Sequence, residues 1–138
     1  SPEAVKNLRV VSDAEFTQAF LWFVKDRVED EIADAVIRLL DLLGWMLKDR
    51  ALSETEVETD LGVSAFYIAG EMTLADALWP ILQDASDNLI FSNTTAGILN
   101  SIKTLEQLCD HLGIDLMAHI DLKMKYNETR PAKHGKKY

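Results

Sequence analysis

The residues of this chain best suited to chemistry are the carboxylates in Arg27-Val-Glu-Asp-Glu-Ile-Ala-Asp-Ala-Val-Ile-Arg-Leu-Leu-Asp41. At about 100° per residue, Glu31, Asp34, Arg38 and Asp41 share one helical stripe, with Arg27 on its N-terminal extension. Ile32, Val36, Leu39, Leu40 and Leu43 take the opposite side. Acids at i and i+3 repel each other unless a cation lies between them. Hard oxygen donors one turn apart suit Mg²⁺, which takes a few carboxylates and keeps several waters. The same spacing also yields two i, i+4 pairs, Arg27–Glu31 and Asp34–Arg38. Alone, the stripe therefore reads at least as readily as a solvated, salt-bridged face.

A second set of candidates lies at the other end. His119, Lys123, Asn127 and Arg130 follow one another at i+4, i+4 and i+3, one polar stripe on a helix. Met117, Ile120 and Met124 make the neighbouring apolar stripe, which suits core packing better than cofactor binding. Lysine and arginine can hold phosphate by charge and hydrogen bonds, and an amide can read a base or sugar edge. The plainer reading is a basic helix end that complements the helix dipole.

Five helical segments are available to position these groups. Ser12 or Asp13 can cap a helix whose first turn holds Glu15, and helical apolar spacing then continues from about Phe16 to Lys48 with no proline. Gly44 is either tolerated within it or marks a bend. Ser53-Glu-Thr-Glu56 has capping-box spacing, whereas Gly62 and Gly70 punctuate a less decided stretch. Thr73-Leu-Ala-Asp76 opens a helix expected to reach about Phe91, with Pro80 in its second turn implying a kink or a shifted start. Asn93 or Thr94 caps the next, which ends near Leu112 before Gly113, a natural left-handed terminator. Asp115 caps the last helix, expected to run to about Glu128. The fold class is all-α, a bundle of four to five helices around one core.

Composition narrows the function. The 138 residues are 48% hydrophobic with few glycines and prolines, enough for one domain with a proper core. The net charge of −9 is uneven: residues 1–120 hold 8 Lys/Arg against 21 Asp/Glu, and residues 121–138 hold 6 against 2. An acidic body repels a nucleic-acid backbone, so no polymer partner is expected. A basic tail beside it could handle a phosphorylated small molecule. The single cysteine, Cys109, excludes an intrachain disulfide and fits a reducing cytoplasm, as a buried inert thiol. No stretch approaches the ~20 apolar residues of a membrane span, and no signal-peptide pattern is present, so no membrane partner is expected.

Taken together, Glu31-Ile-Ala-Asp34 and the ending Lys123…Asn127…Arg130-Pro131…His134-Gly-Lys136…Tyr138 resemble the MazG-like nucleoside triphosphate pyrophosphohydrolases. These all-α enzymes carry an E-x-x-E pair followed on the next helix by E-x-x-D. The resemblance covers the long helix and the C-terminus, and residues 50–90 match only as a helical part. It implies a catalytic domain over residues 1–130 with a basic tail at 131–138. It implies hydrolysis of a nucleoside or deoxynucleoside triphosphate to the monophosphate and pyrophosphate, a nucleotide-pool housekeeping role, and a bundle completed as a homodimer or homotetramer. Glu3, Glu31 and Asp34 would hold Mg²⁺, or Mn²⁺ in its place, with Glu31 and Asp34 also catalytic. Lys123, Asn127, Arg130 and Lys136 would contact the substrate. The sequence departs from the pattern at its start. Only Glu3, the second glutamate of the first pair, is present, and the first is expected just ahead of Ser1.

Trp22, Trp45 and Trp79, with Phe16, Phe20 and Phe23, offer more large apolar surface than a small bundle obviously needs, weak support for an oligomer. The alternative function, from a different class, is a non-catalytic helical interaction module whose charged stripes are solvent faces. A di-iron carboxylate bundle fits poorly: such sites use Glu-x-x-His on facing helices. Here Cys109 stands three residues after Glu106, and neither His111 nor His119 has a glutamate three before it.

Overall fold

A computed structural model describes residues 7–8, 11–49, 69–70, 72–85 and 89–130. Among them are five α-helices and no strand: α1 Asp13–Phe23, α2 Val28–Asp49, α3 Leu74–Ala85, α4 Leu89–Leu112 and α5 Leu116–Thr129. The all-α expectation is met. The capping box expected at Ser53–Glu56, and residues Glu3 and Lys136, lie outside the described residues. None of the described helices is long and apolar enough to cross a membrane.

The helices divide between two compact units, one within Ser1–Asp34 and Gly113–Tyr138, the other within Ala35–Leu112. The first holds α1, the opening turns of α2, and α5. Ser12 starts α1 with a capping box: its hydroxyl accepts from the Glu15 N–H, and the Glu15 carboxylate accepts from the Ser12 N–H. α1 packs against α5 through Phe16, Phe20, Val24, Leu122 and Tyr126. The Phe20 and Tyr126 rings stack with centroids 4.4 Å apart. Phe16 and Phe20 are fully buried, each a contribution of roughly 1.5–3 kcal/mol. Asp115 caps α5, accepting from the Ala118 N–H at 3.1 Å.

The sequence read as one helix from Phe16 to Lys48 is two. α1 ends at Phe23, and Val24–Arg27 form a tight turn in which Asp26 takes φ 64°. Lys25 donates its N–H to the Phe20 carbonyl, and Arg27 donates to the Val24 carbonyl. No glycine or proline announces this break. Aspartate is one of the few side-chain-bearing residues that visit the left-handed region readily, and that is the device used.

In the second unit α2 continues through Gly44 without ending, burying Val36, Ile37, Leu40, Leu43 and Leu47. α3 packs against α4. It starts at Leu74, so Pro80 does not shift its start, and it stops at Ala85 rather than near Phe91. α4 begins at Leu89, four residues before the expected cap, so Asn93 and Thr94 are helix interior. Two first-turn N–H groups of α3, from Leu74 and Ala75, donate to the Glu106 carboxylate at 2.9 and 3.2 Å. Thr73 serves a third, accepting from the Asp76 N–H. Helix starts leave such donors orphaned, and here a side chain from α4 satisfies two of them. Gly113, at φ 71°, follows the end of α4 as expected.

Candidate functional site

The first unit holds an arrangement built on a residue outside the acidic stripe. Asp30 lies in the first turn of α2, where its carboxylate complements the helix dipole. Its side chain is 1% exposed. Oδ2 accepts from the Asp26 backbone N–H at 3.1 Å and from the Lys123 ammonium at 3.0 Å. The Asp26 N–H is turned toward α2 by the left-handed conformation of that residue. Lys123 comes from the middle of α5 and is itself buried. Its Nζ also lies 5.9 and 5.8 Å from the Phe20 and Tyr126 ring centroids, near the outer limit of cation–π attraction. The ion pair thus sits against the aromatic core of the unit.

Around Asp30 gather two exposed acids. Asp26, Asp30 and Glu31 each bring a carboxylate oxygen within 4.8 Å of the others, close enough to share one metal ion. Charges 4.8 Å apart repel by about 1 kcal/mol in water and about 3.5 kcal/mol at an effective dielectric of about 20. Two lysines offset part of this: Lys123 from below, and Lys25, whose ammonium donates to both Asp26 oxygens at 2.9 and 3.0 Å. The hydrogen bond that Lys25 donates to Asp26 raises the Lys25 pKa above its ordinary value. Asp30 Oδ1 is buried and has no hydrogen-bond partner. A carboxylate oxygen in that state asks for a cation or a donor. The donor set is hard oxygen only, which fits Mg²⁺, Mn²⁺ or Ca²⁺ and not a thiophilic metal.

The polar stripe of α5 is half-buried to buried along its length. Besides Lys123, the imidazole Nδ1 of His119 and the amide Oδ1 of Asn127 are buried without a partner. Burial lowers the His119 pKa below 6.5, with Glu29, Asp115 and Asp30 opposing the shift. The Arg130 guanidinium lies 5.6 Å from the Tyr126 ring centroid.

Of the residues singled out in the sequence, Glu31 is exposed and belongs to the acid cluster, whereas Asp34 is half-buried and is not among its members. Lys123, Asn127 and Arg130 lie on α5 or at its end. The residues that sequence spacing missed are Asp26 and Asp30. Asp30 breaks no helical pattern; the available signal was an acid in the third position of a helix, reaching back over the turn before it. His111 is exposed and Cys109 is buried.

No protein-family model matches the chain, and no curated protein or solved structure matches it. The likeness to MazG-like proteins rests on the quoted motifs.

Proposed function

We propose that the protein is a Mg²⁺-dependent nucleoside triphosphate pyrophosphohydrolase, releasing a nucleoside monophosphate and pyrophosphate. The observation that supports this reading is the Asp30–Lys123 pair. It ties the acidic turn bearing Glu31 to the α5 stripe, so the two segments with MazG-like motifs meet in one unit. Glu31 and Asp34, with Glu3, are the proposed holders of the ion. Bound Mg²⁺ neutralises phosphate charge and lowers the pKa of a coordinated water. Glu31, exposed in the acid cluster, is the proposed group to align or deprotonate that water. Lys123 first holds Asp30, and its ammonium reaches a phosphate only if that pair opens. Asn127 offers an unpartnered Oδ1 to a hydroxyl or amino donor of the nucleoside, and Arg130 and Lys136 supply positive charge for the triphosphate.

A homodimer or homotetramer belongs to the same reading, as does a cytoplasmic nucleotide-pool role. Trp22 and Phe23 in the first unit, and Trp45 and Trp79 in the second, are each more than half exposed, which leaves large apolar surface on each unit. That surface also favours the alternative, a non-catalytic interaction module. The two separate cleanly. Full-length protein is incubated with canonical and modified NTPs and dNTPs, with and without Mg²⁺, and pyrophosphate and monophosphate are followed. The enzyme reading expects both products in equal amounts, dependent on Mg²⁺. No turnover of any triphosphate would overturn it and leave the interaction module.

A further inference from the structure

We propose that the end of the first unit formed by the α1–α2 turn is a docking surface for a positively charged amphipathic segment of another protein. Leu21, Trp22 and Phe23 close α1 and Val28 opens α2, at 47, 73, 67 and 61% exposure. Phe16, Phe20 and Val24, spaced four apart, are the buried side of this stretch. At about 100° per residue, positions 21 to 23 therefore fan around the outward sides of the helix, with Trp22 nearly opposite the core. The Arg27 N–H donates to the Val24 carbonyl, so a single tight turn separates Phe23 from Val28. Two aromatic rings exposed to this degree leave on the order of 300 Å² of apolar surface, the size of the largest patch on many monomers. The surface goes beyond the hydrolase reading, because none of the proposed metal or substrate residues is among these four.

Charge selects the occupant. Around the turn, Lys25 is held by Asp26 at 2.9 Å and Asp30 by Lys123 at 3.0 Å, so these four charges cancel in pairs. That leaves Glu29 and Glu31 against Arg27, within a chain of net charge −9. An anionic lipid surface is repelled by that balance, and a second copy brings the same excess of negative charge. A segment with lysines or arginines on one face and apolar residues on the other meets both features at once. Its apolar face covers Trp22 and Phe23 while its cations approach Glu29 and Glu31, which steers the encounter and selects the sign of the partner. The second unit lacks this combination at Trp45. On α2 the exposed charges in the two turns before it are Asp41 and Arg38, one of each sign.

The experiment titrates the 138-residue chain with a synthetic helical peptide, leucines at helical spacing and lysines elsewhere, read by amide NMR and calorimetry. The amides of residues 21–31 should shift before all others. Salt at about 1 M, where the screening length is about 3 Å, should weaken binding several-fold. The same peptide with glutamates in place of lysines should not bind. Trp22→Ser and Phe23→Ser replace exposed side chains, so the fold survives, and each should weaken the lysine peptide at least about tenfold. Trp45→Ser, also at an exposed position, should leave its affinity within about twofold. Shifts centred elsewhere, equal binding of the glutamate peptide, or unchanged affinity in Trp22→Ser and Phe23→Ser would each overturn the proposal. Shifts of the same amides without peptide would also overturn it. Arising on raising the protein concentration, they assign the surface to a second copy; arising on adding phosphatidylcholine vesicles, they assign it to a membrane. Peptide binding that depends on Trp22 in a protein without triphosphate turnover would uphold the proposal while the hydrolase reading fell.

Discussion

Replacing Lys123 by methionine tests the pair that organises the first unit. Methionine keeps most of the buried stem and removes the charge, so the cost is electrostatic rather than a cavity. Asp30 would keep a single hydrogen bond, from the Asp26 N–H, at a side chain 1% exposed. Removing one partner of a buried pair typically costs about 3–5 kcal/mol. The lysine side chain is 10% exposed, so a little solvent screening puts the expectation near the lower end, about 3 kcal/mol. The two ring contacts lie near the distance limit and add less than about 1 kcal/mol together. For a chain of this length the melting temperature should fall on the order of 10 °C. Urea unfolding followed by far-UV circular dichroism measures the loss. The double variant Asp30→Asn/Lys123→Met removes both charges and should recover much of it, giving a coupling energy of about 2 kcal/mol or more. A loss under about 1 kcal/mol for Lys123→Met, or additive effects in the cycle, would refute the reasoning.

Other perturbations act on the scaffold. Glu106→Ala strips two acceptors from the start of α3 and should cost about 1–2 kcal/mol in urea unfolding, with Glu106→Gln milder. Gly97 and Gly113 should respond in opposite directions to alanine, although an added Cβ meets nothing within 4 Å at either. Gly97→Ala, inside α4, should stabilise by about 0.5–1 kcal/mol, whereas Gly113→Ala, at φ 71°, should destabilise by about 1 kcal/mol. The lowered pKa of His119 means that the folded state resists its protonation. The stability it contributes is present above pH 6.5 and is lost as pH falls from there through the folded pKa. Between pH 7.5 and pH 5.5, His119→Gln should therefore lose less stability than the unaltered protein; equal losses would contradict the assignment.

Much of the scaffold was legible because its signals are local. The Ser12 capping box, the Asp115 cap and the Gly113 terminator each act within a few residues of where they are read. The turn at Asp26 was not legible, since apolar spacing runs across it and an aspartate in the left-handed region looks like any surface acid. The start of α4 was misplaced for a related reason. Asn93 and Thr94 favour caps, but neither ends a helix that already extends back to Leu89. In the site, the exposed faces of Glu31, Arg38 and Asp41 follow from helical period alone. The burial of Asp30 does not. It depends on Lys123, 93 residues further along the chain, and on a backbone N–H presented by the turn.

The central claim is that Glu31 serves Mg²⁺-dependent cleavage of a nucleoside triphosphate, and Glu31→Gln tests it most directly. Glu31 is exposed, so losing its charge should leave the far-UV spectrum and the melting temperature nearly unchanged. With a triphosphate and Mg²⁺, the unaltered full-length protein should release pyrophosphate and the Glu31→Gln protein should release none above background. Pyrophosphate release undiminished by Glu31→Gln would contradict the account.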